Sequence, residues 1–281
     1  MFTSNPFAEI SAYIAPSVMQ AFVLIMIFLV VAGTLFDIIH KKSAKYFFDA
    51  AQKSKDQGNR DVTGGEKIGI AVSTVAADVL TSAEFCNPKR RVAHLLGMYG
   101  FVIYLLATIV MVFSYADPAA ATPAIWPFLW YLGALMVCVG GYWFWFFIRV
   151  DVAAEGNPVF RFVKADLFIL SLLASCTTAL IWAIIQSGGI GVWSNIFLGL
   201  YLISTVVLFG GIPWSKFAHM FFKPAAAYQK RVSVANGHLD NLPRPADRTS
   251  AADRDRHSME LLKDAPLDMG LGIKREQPNH Y

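Results

Sequence analysis

Polar and apolar positions in this chain do not alternate; they separate into blocks. Five stretches are nearly unbroken runs of Ile, Leu, Val, Phe, Ala, Met and Gly, namely Ser17–Ile39, His94–Tyr115, Pro127–Val150, Leu167–Ser187 and Ser194–Trp214. Each is close to the ~20 residues that a helix needs to cross a hydrocarbon core. The breaks between them carry Gly, Pro and charge, the usual punctuation: Asp117–Pro123, Asp151–Asp166, Gly188–Trp193 and the long polar segment Lys41–Ala93. The pattern predicts an all-α fold, an integral membrane bundle of five helices. Residues 1–16 form an N-terminal arm, 17–223 the membrane domain including the loop 41–93, and 224–281 a largely irregular tail.

The loop 41–93 is too long for a plain connection. Within it, Ser43–Lys55 predicts a short helix with an aromatic patch at Tyr46, Phe47 and Phe48. Thr63 and Glu66 stand at capping-box spacing. Ile68, Val72, Val75 and Val79 then recur at helical intervals, predicting an amphipathic helix on the membrane face. Such a helix either covers the bundle or docks a partner. The tail mixes both charge signs and has few large apolar residues, so it buries no core of its own. It is either a terminus without a role or a segment that orders on a partner; 257–274 regains some apolar character.

Composition agrees with the blocks: 56% of the 281 residues are hydrophobic and 16% charged. Charge then orients the spans. All 24 Lys and Arg lie in Lys41–Ala93, in Arg149–Lys164 or after Pro213, leaving none in the N-terminal arm or the other two connections. By the positive-inside rule the N-terminus is outside and the tail cytoplasmic. The arm has no basic n-region, so the first span is expected to remain as an anchor. Cys86, Cys138 and Cys176 lack CxxC spacing, which argues against an iron–sulfur cluster, a thiolate zinc site or a disulfide framework. Nucleotide-binding, zinc-protease and serine-hydrolase motifs are absent, and nothing points to nucleic acid. No Asp, Glu, Lys, Arg or His falls at mid-span, which counts against a transporter.

Of the six histidines, His238, His257 and His280 belong to the tail, and His40 ends the first span beside Lys41 and Lys42. His94 opens the second span and His219 follows the fifth, both at the cytoplasmic edge. They have two readings. They are interfacial polar residues, or they are the axial pair that a low-spin haem b takes from two helices. In the second reading Arg90, Arg91 and Lys216 face haem propionates or a quinone, and His40 and Asp37 are further quinone candidates.

Two motifs resemble a known group. Ala77–Thr108, with Arg90, Arg91, His94, Tyr99, Gly100 and Phe101, resembles the start of the second helix in five-helix cytochrome b subunits of the nitrate reductase gamma type and their quinone-interacting relatives. PWSKFAHMFFKP (Pro213–Pro224) is similar to the exit of their fifth helix. GTLFDIIHKKSAKYFF and SAEFCNPKRRVAHLL look most like the membrane anchor of dissimilatory adenylylsulfate reductase in sulfur-oxidising bacteria. The resemblance implies a bacterial inner-membrane subunit. It would pass electrons between soluble flavin and iron–sulfur subunits and quinone, with sulfite oxidation as the partner's reaction. The alternative is an anchor without a cofactor. Relatives often stack two haems. Here Tyr201, eighteen residues before His219 and about 27 Å away along a helix, and Tyr104, ten after His94, stand where second ligands are expected. One haem b at most is therefore expected.

Overall fold

The computed structural model describes residues 2–40, 43–83, 85, 87–152, 156–189, 191–217, 219–238 and 250–252, which contain helices and no strand. In order, the helices are α1 (Pro6–Ile10), α2 (Pro16–His40), α3 (Ser43–Asp56), α4 (Gly64–Thr74), α5 (Pro88–Ser114), α6 (Ile125–Trp143), α7 (Leu167–Ser187), α8 (Val192–Gly210) and α9 (His219–Ala235). Two of them continue as π-helical turns, α4 into Val75–Leu80 and α6 into Phe144–Ile148. Helices α2, α5, α6 with its extension, α7 and α8 are long and apolar enough to span a membrane. The chain is a multi-pass helical membrane protein.

The spans match the apolar runs, with one instructive shift. Helix α5 starts at Pro88, not His94. Asn87 caps it, its side-chain oxygen accepting from the amides of Lys89 at 2.9 Å and Arg90 at 3.4 Å. Proline suits a first helical position because its missing N–H would be unbonded there anyway. The basic cluster is thus the first turn of the span and not a flanking loop.

The tightest seam joins α5 and α6. A Cβ on Gly133 would meet the Tyr104 amide nitrogen at 2.6 Å, and one on Gly100 would meet the Gly133 carbonyl at 2.8 Å. Small residues let backbones approach where lipid gives no hydrophobic drive for association. Hydroxyls add links: the Trp130 indole N–H donates to Thr108 at 3.0 Å, and the Ser175 and Thr205 hydroxyls share a bond of 2.8 Å between α7 and α8.

The N-terminal arm is a plug. Phe7 and Ile10 are buried, Phe7 against both Trp130 and Trp182. Asn5 caps α1, and its Nδ2 donates to the Tyr115 carbonyl at 2.9 Å and Thr122 at 3.1 Å. Gln186 Nε2 donates to the Pro6 carbonyl at 2.7 Å. These ties close the end of the bundle opposite the basic residues.

At the basic end, α9 continues the chain past the boundary at 223/224, through Pro224 to Ala235. Its far end is fastened to the end of α3 and to the α3–α4 connection: Asn236 Nδ2 donates to the Ser54 carbonyl at 2.7 Å, Ser233 meets the Ser54 hydroxyl at 3.0 Å, and the Asn59 amide donates to the Asn236 carbonyl at 2.8 Å. Arg231 pairs with Asp78 at 2.9 Å and donates to Ser73 at 2.7 Å. The capping box of Thr63 and Glu66 is present, and Arg60 forks onto Glu66 at 2.9 and 3.0 Å. Helices α3, α4 and α9 so form a platform across that end. The stretch 257–274 lies outside the described residues.

Candidate functional site

The chain after Leu80 turns sharply back toward the start of α5. Ser82 takes a left-handed backbone conformation, φ 49°, which disfavours any residue with a Cβ. The turn is held from α5: Arg91 Nε donates to the Thr81 carbonyl at 2.7 Å, and the Tyr99 hydroxyl donates to the Leu80 carbonyl at 2.6 Å. Ser82 itself is buried, with its hydroxyl 3.1 Å from His94 Nδ1.

Phe85 then packs on His94, ring centroids 4.8 Å apart. Two cations lie over the same ring, Arg90 at 5.6 Å and Lys223 of α9 at 5.0 Å. Lys223 follows His219 by four residues, so both lie on one face of α9. Phe85 therefore touches both His94 and Lys223, whose helix face also bears His219. His219 Nδ1 bonds to the Lys216 carbonyl. Because a carbonyl only accepts, Nδ1 is the donor in this bond. The imidazole also packs edge-on against Phe168, centroids 5.8 Å apart.

The other sequence candidates are placed as follows. Arg91 is spent on the turn at Thr81. The Lys216 side chain is exposed, and its backbone, not its ammonium, meets the imidazole. Asp37 is buried at 2% exposure, whereas His40, one turn on, is exposed and stacks on Phe36 at 5.3 Å. Lys223 and Phe85 were not legible as site residues, because each is brought in by the turn and by α9.

The helical count from His219 back to Tyr201 needs correction. Helix α8 ends at Gly210, a 3₁₀ turn follows over Ile212–Trp214, and His219 opens a separate helix. Gly210, Gly211 and Pro213 break the run, since proline supplies no amide and glycine costs a helix backbone entropy. His219 and Tyr201 are not in one helical register. Tyr104 and Tyr201 are nonetheless both buried, packed on Trp130 (5.4 Å) and Trp182 (5.7 Å) respectively.

A second polar centre at the basic end was missed. Arg149, 1% exposed, pairs with Asp166 at 2.6 Å, donates to the carbonyls of Pro158 (2.8 Å) and Arg161 (2.5 Å), and lies 4.1 Å over the Trp145 ring. It folds the α6–α7 connection under the bundle, a structural task. Among the described residues no group of three or more His, Cys, Asp or Glu is placed to hold a metal ion.

No protein-family model matches the chain, and neither a curated protein nor a solved structure matches it. Fold and site together define a five-span helical membrane protein with an aromatic–cationic–imidazole cluster at its basic end.

Proposed function

We propose that the protein is a membrane anchor and electron-transfer subunit for a cytoplasmic redox enzyme that exchanges electrons with quinone. Adenylylsulfate reductase is the partner that the sequence resemblance implies, and the bacterial inner membrane the location. The basic end is the cytoplasmic one in this reading. The observation that carries it is the convergence there of the cross-tied α3–α4–α9 platform, suited to receive a soluble partner, with the cluster of His94, Arg90, Phe85 and Lys223 and with His219 one turn from Lys223 on α9.

The donor chemistry suits one haem b. Each imidazole is held at Nδ1, His94 by the Ser82 hydroxyl and His219 by the Lys216 carbonyl, an arrangement that orients ring ligands. Arg90 and Lys223 supply positive charge for the propionates. When bound, haem supplies one-electron chemistry. A macrocycle bound at His94 would meet the Phe85 ring that is packed on that imidazole. The packing of Phe85 on His94 is the observation that favours the second reading, an anchor without a cofactor.

A reduced-minus-oxidised spectrum of the protein purified from its native membrane separates the two. A haem b band that disappears in both His94→Ala and His219→Ala is expected. A colourless protein that still retains its enzyme overturns the conduit and leaves the anchor.

A further inference from the structure

Helix α4 has two opposed faces. Glu66, Gly69, Ile70 and Ser73 face α9 across a groove of about 410 Å³, whose other wall is Arg231, Val234 and Ala235. On the opposite face Ile68, Val72 and Val75 follow one another at helical spacing, 68, 64 and 51% exposed, and Leu80 ends the stripe at 50%. Between Lys67 and Glu84 the only charged residue is Asp78, and it is paired with Arg231. An apolar stretch of this length, short of a full span, is typical of interfacial or re-entrant segments.

The depth of the stripe follows from its ties to a spanning helix. Tyr99 lies about 16 Å along α5 from Pro88, at 1.5 Å per residue. Its phenol leans back toward the helix start, as helical side chains do, yet still reaches the Leu80 carbonyl at 2.6 Å. Leu80 therefore lies well past the first turn of α5, beyond the charged Lys89–Arg90–Arg91 and beside His94. If the basic first turn of α5 lies among the headgroups, that level is where the acyl chains begin. The polar N-terminal end, with Arg60, Glu66 and Lys67, is at the other end of the same rod.

We infer that α4 and its π-helical extension form an interfacial wedge, with lipid covering the Ile68–Val72–Val75–Leu80 stripe. The rod inclines so that Leu80 reaches the acyl boundary while Glu66 stays in water. α9 lies on the opposite, polar face, so the wedge fixes the height of the platform above the membrane. This rests on the five spans and not on any cofactor or partner enzyme.

The test places p-benzoylphenylalanine at position 68, 72, 75 or 67 of the full chain in native membranes, followed by irradiation and mass analysis of the labelled peptide. The side chains replaced are all exposed, so packing is not disturbed. Phospholipid adducts at 68, 72 and 75 are expected at several-fold higher yield than at 67. Adducts at 72 to a partner protein or to a second copy of this chain overturn the inference, as does equal labelling at 67 and 72.

Discussion

Ser82 concentrates what single residues do at the basic end. Its left-handed backbone is costly for any residue with a Cβ, by about 1–2 kcal/mol, yet its hydroxyl holds His94. Ser82→Gly and Ser82→Ala both remove that hydroxyl, but only glycine relaxes the backbone. Ser82→Gly is expected to be the more stable by about 1 kcal/mol in thermal or denaturant unfolding of the detergent-solubilised protein. Equal stability, or a more stable alanine variant, would show that the turn carries no strain. The histidines and the arginine cluster were legible in the sequence because imidazole and guanidinium stand out beside apolar runs. Ser82 was not, because its importance comes from a φ angle and from a contact twelve residues away. Arg149 was hidden for a related reason. A lone arginine at the end of a run reads as an interfacial charge until the connection that it folds, out to Asp166, is seen.

At the scale of elements, the five spans could be read directly, since ~20 consecutive apolar residues admit few other structures. So could α3 and the capping box of α4. The break after Gly210 was underestimated, and a helical register was carried across it. The N-terminal arm read only as an external arm, although Asn5 and Gln186 turn it into the cap of the bundle through hydrogen bonds between residues 110 to 180 positions apart. The α5–α6 seam makes the sharpest prediction. A side chain at Gly133 would strike the α5 backbone at 2.6 Å, where no rotamer offers relief. Gly133→Leu is expected to destabilise the bundle by about 1–3 kcal/mol or more, read as a lowered midpoint in thermal unfolding. Gly199, whose added Cβ would meet nothing within 4 Å, is the control: Gly199→Leu should leave the midpoint nearly unchanged. Equal effects at the two positions would deny the close approach.

For the whole molecule, one end is sealed by apolar and amide contacts of α1, and the other carries the basic side chains, the imidazoles of His94 and His219 and the platform. Rings occupy much of the interior between them: Phe7 meets Trp130 and Trp182, and Phe101, Phe209 and Phe217 pack together nearer the basic end. In the proposed reading, chemistry is assigned to the basic end, the side from which a soluble enzyme would dock. The platform also decides where the chain can be cut. Ser233 and Asn236 fasten α9 to Ser54, so removal of the chain from Val232 onward would dismantle the platform itself, whereas truncation after His238 keeps it. The most direct measurement is to isolate the full chain from its native membrane in mild detergent and identify what accompanies it by mass spectrometry and visible absorbance. A soluble flavin- and iron–sulfur-containing enzyme in stoichiometric amount is the predicted result. Recovery of the intact five-span protein with no such enzyme, including after chemical cross-linking in the membrane, would contradict the proposed function.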